Sequence, residues 1–576
     1  MNYINKLRDI IPGNLYYKIL KLLILTIIGI FFELLGIGLV LPIITIVTTG
    51  SFDINLGLGF DNIINNFFSK LNSSELFIIP LLLLLLVYTA KGIYLFFLKF
   101  YTGKFSYHFV TNLSNNIYKN YLYQDHLFHL RRNSTDLIRI ITFEILNFFK
   151  NVFMPSLIIF MEILVLIGII FLLLSVETKS TLSVFGIILF LSLFYYFIIN
   201  NKLKKWGEER LFHDGKKIQN LTQGLQGIKT VKIFNQEEHF LDKFNYNLSK
   251  SAKVNQYATL VSQLPPILIE FIAIFLIVSF MIFNVQTSSN VTEYFPKLAL
   301  FAAAAFRVMP SINRLIVNFQ TLRYAIPAAD KLHNEFPLKD ELSDLKNSQL
   351  KMNFKNEINI SHLSFKYPNN NENTLQDVNL KIRYGESIGI IGKTGEGKST
   401  IVDLICGLLK PHEGSILVDD NDIQKNLKSW QQKIGYVPQN IYLLDDSIKE
   451  NIIFGRKEDN DTNKKLNDAI KLAQLDKLIS DLPKGLNTFV GDRGTRLSGG
   501  QVQRIGIARA IFNNSQVLIF DEATSALDVE TEKNFIDDIY KLKTKKTLII
   551  ISHRISSLER CDRIYNLKNK SIFLDK

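Results

Sequence analysis

Hydrophobic and polar positions fall into two regimes along the chain. Up to about residue 330, apolar residues come in long, nearly unbroken runs; beyond about residue 352 the runs are short and flanked by charge. Six long runs, at about 19–48, 76–100, 152–175, 180–200, 258–285 and 297–323, reach the roughly 20 residues a bilayer requires. Six in one region disfavour buried soluble or interfacial helices. They predict a helical membrane domain over 1–336, a polar linker over 337–351 and a soluble domain over 352–576.

Lys and Arg placement orients these spans. Lys6, Arg8 and Lys18 precede the first; Lys104, Lys119, Arg131, Arg132, Arg139 and Lys150 lie between the second and third; a dense set runs from Lys202 to Lys253. The turn after the third span has only Lys179, and 286–296 has neither residue type. The N-terminus, both long loops and the soluble half are therefore expected in the cytoplasm. The long loops read as helical continuations, with turns around Tyr123–Leu130 and Asn220–Ile228 reaching towards the soluble half. In the first outer loop Ile63, Ile64, Phe67, Phe68 and Leu71 share one helical face. That helix either packs on the spans or lies in the interface touching lipid or substrate.

Composition changes this picture little. At 576 residues the chain is too long for one compact domain. The net charge of +13 matches cytoplasmic membrane loops and does not call for nucleic acid. The two cysteines, Cys406 and Cys561, imply no disulfide framework. The first apolar run lacks a small-residue cleavage site and reads as a span rather than a signal peptide.

The chemistry lies in the second half. Ser387–Ile391 reads as a buried strand, followed by Gly392-Lys393-Thr394-Gly395-Glu396-Gly397-Lys398-Ser399-Thr400 and a helix from Thr400 to Leu409. This strand, glycine-rich loop and helix form a P-loop. Its amides and helix N-terminus would face phosphate, Lys398 would reach the β- and γ-phosphates, and Ser399 would bind Mg²⁺. Val517–Glu522 is an apolar strand ending in two carboxylates: Asp521 suits a Mg²⁺ contact through water, and Glu522 a general base for the attacking water. Leu497-Ser498-Gly499-Gly500-Gln501 opens a helix carrying Arg504 and Arg509, a second phosphate-facing surface.

Together these motifs resemble the nucleotide-binding domain of ABC transporters over the whole soluble half. The resemblance implies an α/β P-loop NTPase domain after a six-helix membrane domain of exporter type, with ATP and Mg²⁺ as ligands. It makes Gly392–Thr400 the Walker A loop, Asp521 and Glu522 the end of Walker B, and Leu497–Gln501 the signature. Tyr367 would stack on adenine, Gln439 would be the Q-loop residue linking γ-phosphate and metal to the membrane domain, Asp528 would belong to the D-loop, and His553 would be the switch histidine. Asp492 and Arg493, before the signature, either belong to the X-loop of exporters or form a solvated ion pair. Glu396 departs from the family, which has a small residue there. In this family the signature and D-loop face the Walker A loop of a second subunit. One such domain and six spans make half a transporter, most simply a homodimer, the alternative being a heterodimer with a related subunit, in a bacterial inner membrane, coupling ATP hydrolysis to alternating access.

The cargo is read from the membrane half. Glu33, Lys91, Glu162, Glu270, Arg307 and Arg314 lie at or near membrane depth, where ions are costly. Arg307 and Arg314 are seven residues apart, on one helix face. They either receive a phosphate or pyrophosphate, or pair with Glu33, Glu162 or Glu270. Phe306–Leu315, Glu33–Pro42 and the outer-loop helix resemble bacterial lipid-linked oligosaccharide flippases of the PglK type. That likeness implies a polyprenyl-pyrophosphate-linked glycan as cargo; the alternative is an exporter of lipid A-type lipids, drugs or peptides.

Overall fold

A computed structural model of the chain describes residues 3–38, 73–176, 178–287, 291–335, 352–368, 370–523, 537, 539–540, 546–554 and 557–575. Two compact units result: Met1–Gln124 with Arg132–Leu342, and Asp125–Arg131 with Ser343–Lys576.

The first unit is built from long helices, α1 (Tyr16–Gly38), α2 (Ser73–Tyr123), α3 (Met154–Val176), α4 (Thr178–Gln226), α5 (Glu237–Thr287) and α6 (Val291–His333). Three stretches, Gly13–Gly36, Ile78–Tyr123 and Ser134–Phe171, are long and apolar enough over described residues to cross a membrane. The helices α2, α4 and α5 run 51, 49 and 51 residues, about twice what a bilayer needs, so their polar ends continue beyond it as the charge pattern suggested. Exposed Leu, Ile and Phe along them suit a lipid environment. Ile30, Val165, Ile169, Ile269, Val308 and Ile312 form a buried cluster where α1, α3, α5 and α6 meet. The outer-loop helix expected around Ile63–Leu71 lies outside the described residues.

The first expected turn is a short helix, His126–Arg131, belonging to the second unit, where Leu127 packs against its core. The second turn is displaced from its expected place. Helix α4 continues to Gln226, a short helix follows at Ile228–Ile233, and the reversal comes at Phe234–Gln236 with Asn235 at φ +51°. Asn tolerates the left-handed region better than most residues, so Asn235 sets the corner rather than Gly224 or Gly227.

The second unit carries two sheets. Strands β1 (Glu357–Phe365), β2 (Leu375–Arg383), β4 (Glu413–Val418) and β5 (Asn421–Asp422) form an antiparallel sheet in the order β2-β1-β4-β5. Strands β3 (Ser387–Gly392), β6 (Ile434–Val437), β7 (Val517–Asp521), β8 (Thr547–Ile551), β9 (Arg563–Lys568) and β10 (Ser571–Leu574) form the other, in the order β10-β9-β3-β8-β7-β6. All its pairings are parallel except β10 with β9. Strands β7 and β8 are buried throughout, as the continuous apolar runs of parallel strands require.

This topology makes the site. Neighbouring parallel strands place their C-terminal ends along one edge, where α/β sheets bind ligands. Strand β3 ends there at Gly392, β8 at Ile551, β7 at Asp521 and β6 at Val437. The segments holding Lys398, His553, Glu522 and Gln439 leave from that edge. Helix α7 (Lys398–Ile405) starts two residues earlier than expected and stops four residues sooner. It stops because Gly407 takes φ +68° and Leu408 N–H returns to Asp403 O, a glycine-terminated helix end.

Candidate functional site

The loop after β3 depends on its glycines. Gly395 and Gly397 have φ of +88° and +101°, and Gly397 caps α7. A β-carbon on Gly392 would lie 2.8 Å from Leu567 O and 2.9 Å from Glu396 Oε2, so no larger residue fits. The Lys398 side chain is buried, and its Nζ donates to Gly392 O at 2.8 Å and Lys393 O at 3.0 Å. Lys393 N–H donates to Glu396 Oε2 at 2.7 Å. Thr394, Gly395 and Ser399 are exposed, whereas Thr400 is buried. The Tyr367 hydroxyl lies 3.3 Å from Thr400 Oγ1, and its ring stands edge-on to Phe365 at 5.0 Å.

The carboxylates sit beside this loop. Asp521 ends β7 and is buried; Tyr436 donates its hydroxyl to Asp521 Oδ2 at 3.4 Å. Burial and the adjacent Glu522 charge push the Asp521 carboxyl above its ordinary range, against contributions from Tyr436, Lys398 and Ser399. A buried carboxylate that is costly to ionise, beside an exposed hydroxyl and an ammonium, suits a divalent cation that would stabilise its charge. Ser399, Asp521 and Gln439 are the side chains that would hold Mg²⁺.

Glu522 follows at φ +50°, a left-handed conformation held by its N–H donating to Ile551 O at 3.0 Å. Such backbone outliers cluster at functional sites. Gln439 Nε2 donates to Glu522 Oε2 at 2.7 Å, and His553 Nε2 lies 2.8 Å from Glu522 Oε1. Three residues named from separate motifs, up to 114 positions apart (439 to 553), thus meet at one carboxylate.

The signature occupies a separate element, the start of α8 (Gly499–Phe512). Ser498 caps it: Gln501 N–H donates to Ser498 Oγ at 3.3 Å, and Ser498 N–H donates to Gln501 Oε1 at 2.9 Å. This capping box leaves Gly499 and Gly500 in the first turn, without side chains to obstruct an approaching phosphate. Leu497 packs against the core. Asp492 and Arg493 lie in a short 3₁₀ turn preceding it. Asp528 lies outside the described residues.

Sequence reasoning missed Tyr436, Asp403 and Asn451. Tyr436 on β6 sits in register with Ile519 of β7, a pairing visible only once strand order is known. Asp403 on α7 is pushed upward by burial, with a smaller contribution from Asp521. Asn451 is fully buried and, with Tyr442, receives Arg509: Arg509 Nε donates to Asn451 O at 2.8 Å and Nη1 to Tyr442 O at 2.9 Å. Burial, then Arg456, lower the Arg509 pKa to about 10.

In the membrane unit, Arg314 grips Glu162 through Nε to Oε1 at 2.5 Å and Nη2 to Oε2 at 3.2 Å. Arg314 keeps 42% of its side-chain surface exposed, whereas Glu162 keeps 10%. Lys91 lies 3.9 Å from Glu33. Arg307 belongs to α6, but its side chain lies outside what is described. Between α3, α4 and α6 is a cavity of about 640 Å³, walled by Leu166, Tyr196, Leu203, Ile312, Leu315 and Phe319 among others.

A P-loop at one sheet edge, two carboxylates beside it and a glycine-rich helix start define a nucleotide-hydrolysing domain, here fused to a bundle of membrane helices. Residues 375–525 match the model of the ABC transporter family, and residues 35–304 that of the ABC transporter transmembrane region. The chain is 29% identical over 514 residues to an ATP-dependent lipid A-core flippase of Saccharophagus degradans, covering 87% of this chain and 84% of the relative. It is 29% identical over 546 residues to another protein of that name from Wigglesworthia glossinidia brevipalpis, covering 92% and 90%. A putative multidrug export ATP-binding/permease protein of Bacillus subtilis is 29% identical over 430 residues, covering 72% and 71%. Among solved structures, a bacterial Atm1-family ABC exporter with ATP bound shares the fold, with a TM-score of 0.79, 21% identity, and coverage of 98% of this chain and 95% of the other. The chain belongs to the ABC transporters: it is an ATP-driven exporter whose membrane and ATPase domains are fused in one polypeptide.

Proposed function

We propose that the chain is an ATP-driven flippase of a bacterial inner membrane that moves a phosphate-bearing glycolipid. The observation that carries this reading is Arg314, an arginine on a membrane helix that keeps 42% of its side-chain surface exposed; the same helix walls the apolar cavity with other residues. Ile312 and Leu315 wall that cavity, whereas Arg314 lies on another face of α6 and meets Glu162 of α3. A lipid tail suits such a wall, and a guanidinium suits a phosphate or pyrophosphate. We favour a polyprenyl-pyrophosphate-linked oligosaccharide. Lipid A-core is the second reading, supported by the relatives of that name. The Glu162 pairing also supports a structural role for Arg314, so Arg307 and Arg314 need separate tests.

The ATPase roles follow from chemistry. Lys398 and the loop amides hold the β- and γ-phosphates; Ser399, Asp521 and Gln439 hold Mg²⁺, which would neutralise phosphate charge. Glu522 takes the proton of the attacking water, and Gln439 and His553 fix its carboxylate. Tyr367 contacts adenine. Leu497–Gln501 and Asp528 complete the site of a second copy, so the working form is a homodimer with two competent sites. The boundaries at 336 and 352, the six spans and the cytoplasmic N-terminus and ATPase domain belong to the same proposal. Proteoliposomes holding fluorescent polyprenyl-pyrophosphate glycan test it: ATP should move the probe between leaflets, and the Glu522→Gln protein should not.

A further inference from the structure

Glu396 breaks the small-residue pattern of the phosphate loop, and its side chain has a definite job there. Its carboxylate Oε2 accepts Lys393 N–H at 2.7 Å, while its own N–H returns to Lys393 O at 3.3 Å. Lys398 Nζ also donates to Lys393 O, at 3.0 Å. Both polar groups of the Lys393 residue's backbone are thus held from within the loop. Gly392 leaves room for this, because a β-carbon there would stand 2.9 Å from the carboxylate oxygen. The glycine and the glutamate fit one another.

We infer that Glu396 sets the nucleotide affinity of this ATPase, bracing the loop by its hydrogen bond while opposing the polyphosphate by its charge. The inference rests on the reading of this loop as the ATP site. The two effects have opposite signs. The brace matters most when Lys398 turns from Gly392 O and Lys393 O to the phosphates, because Lys393 then keeps only its bonds to Glu396. The charge acts over several ångströms and weakens with salt. A ligand with more phosphate charge feels it more, so the loop disfavours ATP relative to ADP compared with an uncharged loop.

Glu396→Gln separates the effects, since the amide oxygen can still accept from Lys393 N–H but carries no charge. Glu396→Ala removes both. Binding of a fluorescent ATP analogue and of its ADP counterpart would be titrated into the full-length protein in detergent, at low and high salt, with Lys398→Ala as control. The expected result for Glu396→Gln is affinity for the ATP analogue raised about three- to tenfold at low salt. The gain should be smaller for ADP and shrink at high salt, and KM for ATP should fall. Glu396→Ala should bind more weakly than Glu396→Gln. Equal affinities for wild type and Glu396→Gln at both salt levels would overturn the charge effect, and equal affinities for Gln and Ala the brace. Indistinguishable binding by wild type and Lys398→Ala would overturn the site reading itself, and this inference with it.

Discussion

His553 Nε2 lies 2.8 Å from Glu522 Oε1, while Gln439 holds the other carboxylate oxygen at 2.7 Å. The base proposed to activate water is therefore fixed from two sides by residues arriving on different strands. Glu522→Gln keeps the shape and an oxygen acceptor for Gln439 but cannot take a proton. ATP turnover should fall at least about 100-fold, with nucleotide binding retained. Phosphate-release kinetics alongside nucleotide titration checks both halves of this expectation.

Asp521 gives a pH-dependent prediction. Burial and the Glu522 charge raise its pKa in the folded protein, so the folded state holds a proton at pH values where the unfolded chain has lost it. The stability it contributes is present at low pH and is lost as pH rises from the ordinary value of 3.8 through the raised one. Asp521→Asn should therefore raise the unfolding temperature of the nucleotide-free protein at neutral pH. About 2–4 °C corresponds to roughly 1 kcal/mol in a domain of this size. The difference should narrow as pH falls, and hydrolysis should be lost. Thermal unfolding of the full chain across pH, without Mg²⁺, reads this directly.

Arg314 and Glu162 can be tested as a pair. Arg314→Ala leaves the mostly buried Glu162 without its partner, at a cost of about 1–3 kcal/mol. Glu162→Gln combined with Arg314→Met removes both charges and should recover most of the stability. If Arg314 also receives a phosphate, transport stays low in the recovered variant; if the pair only orients α3 and α6, transport returns with stability. Unfolding temperature and flipping rate, measured on the same preparations, separate the two.

The homodimer reading predicts complementation. Lys398→Ala disables the phosphate loop and Gly499→Asp blocks the start of α8. Each homodimer should be inactive. Co-expressed chains with distinct tags should regain up to about half the ATPase of wild type after double purification, because one composite site reassembles. No recovery in a confirmed mixed dimer would count against sites shared between subunits.

The ATPase half was legible in the sequence because phosphate chemistry demands fixed residue types at fixed spacing. Gly392 to Thr400 and Asp521 with Glu522 emerge at the strand ends the motifs required. What sequence could not place was the sideways neighbour. Tyr436 reaches Asp521 only because β6 pairs with β7, and Gln439 reaches Glu522 for the same reason. In the membrane half, a long apolar run placed α3 to within two residues at either end, but the corner at Asn235 was misjudged by several residues. Helical ends in polar segments have no apolar stripe to mark them, so a single left-handed residue decides where the chain turns. The sequence offered Arg314 three carboxylate partners, and packing of α3 against α6 selects Glu162.

ATP-driven movement of a phosphate-bearing glycolipid would appear as a change in leaflet accessibility. Purified protein would be reconstituted with fluorescent polyprenyl-pyrophosphate glycan and, in parallel, with labelled lipid A-core, and probe exposure followed on adding ATP and Mg²⁺. An ATP-dependent change is expected with the polyprenyl-linked glycan and is expected to be absent in Glu522→Gln. Movement of lipid A-core alone would favour the second reading. No movement of either lipid, with ATP hydrolysis intact, would rule out a glycolipid flippase.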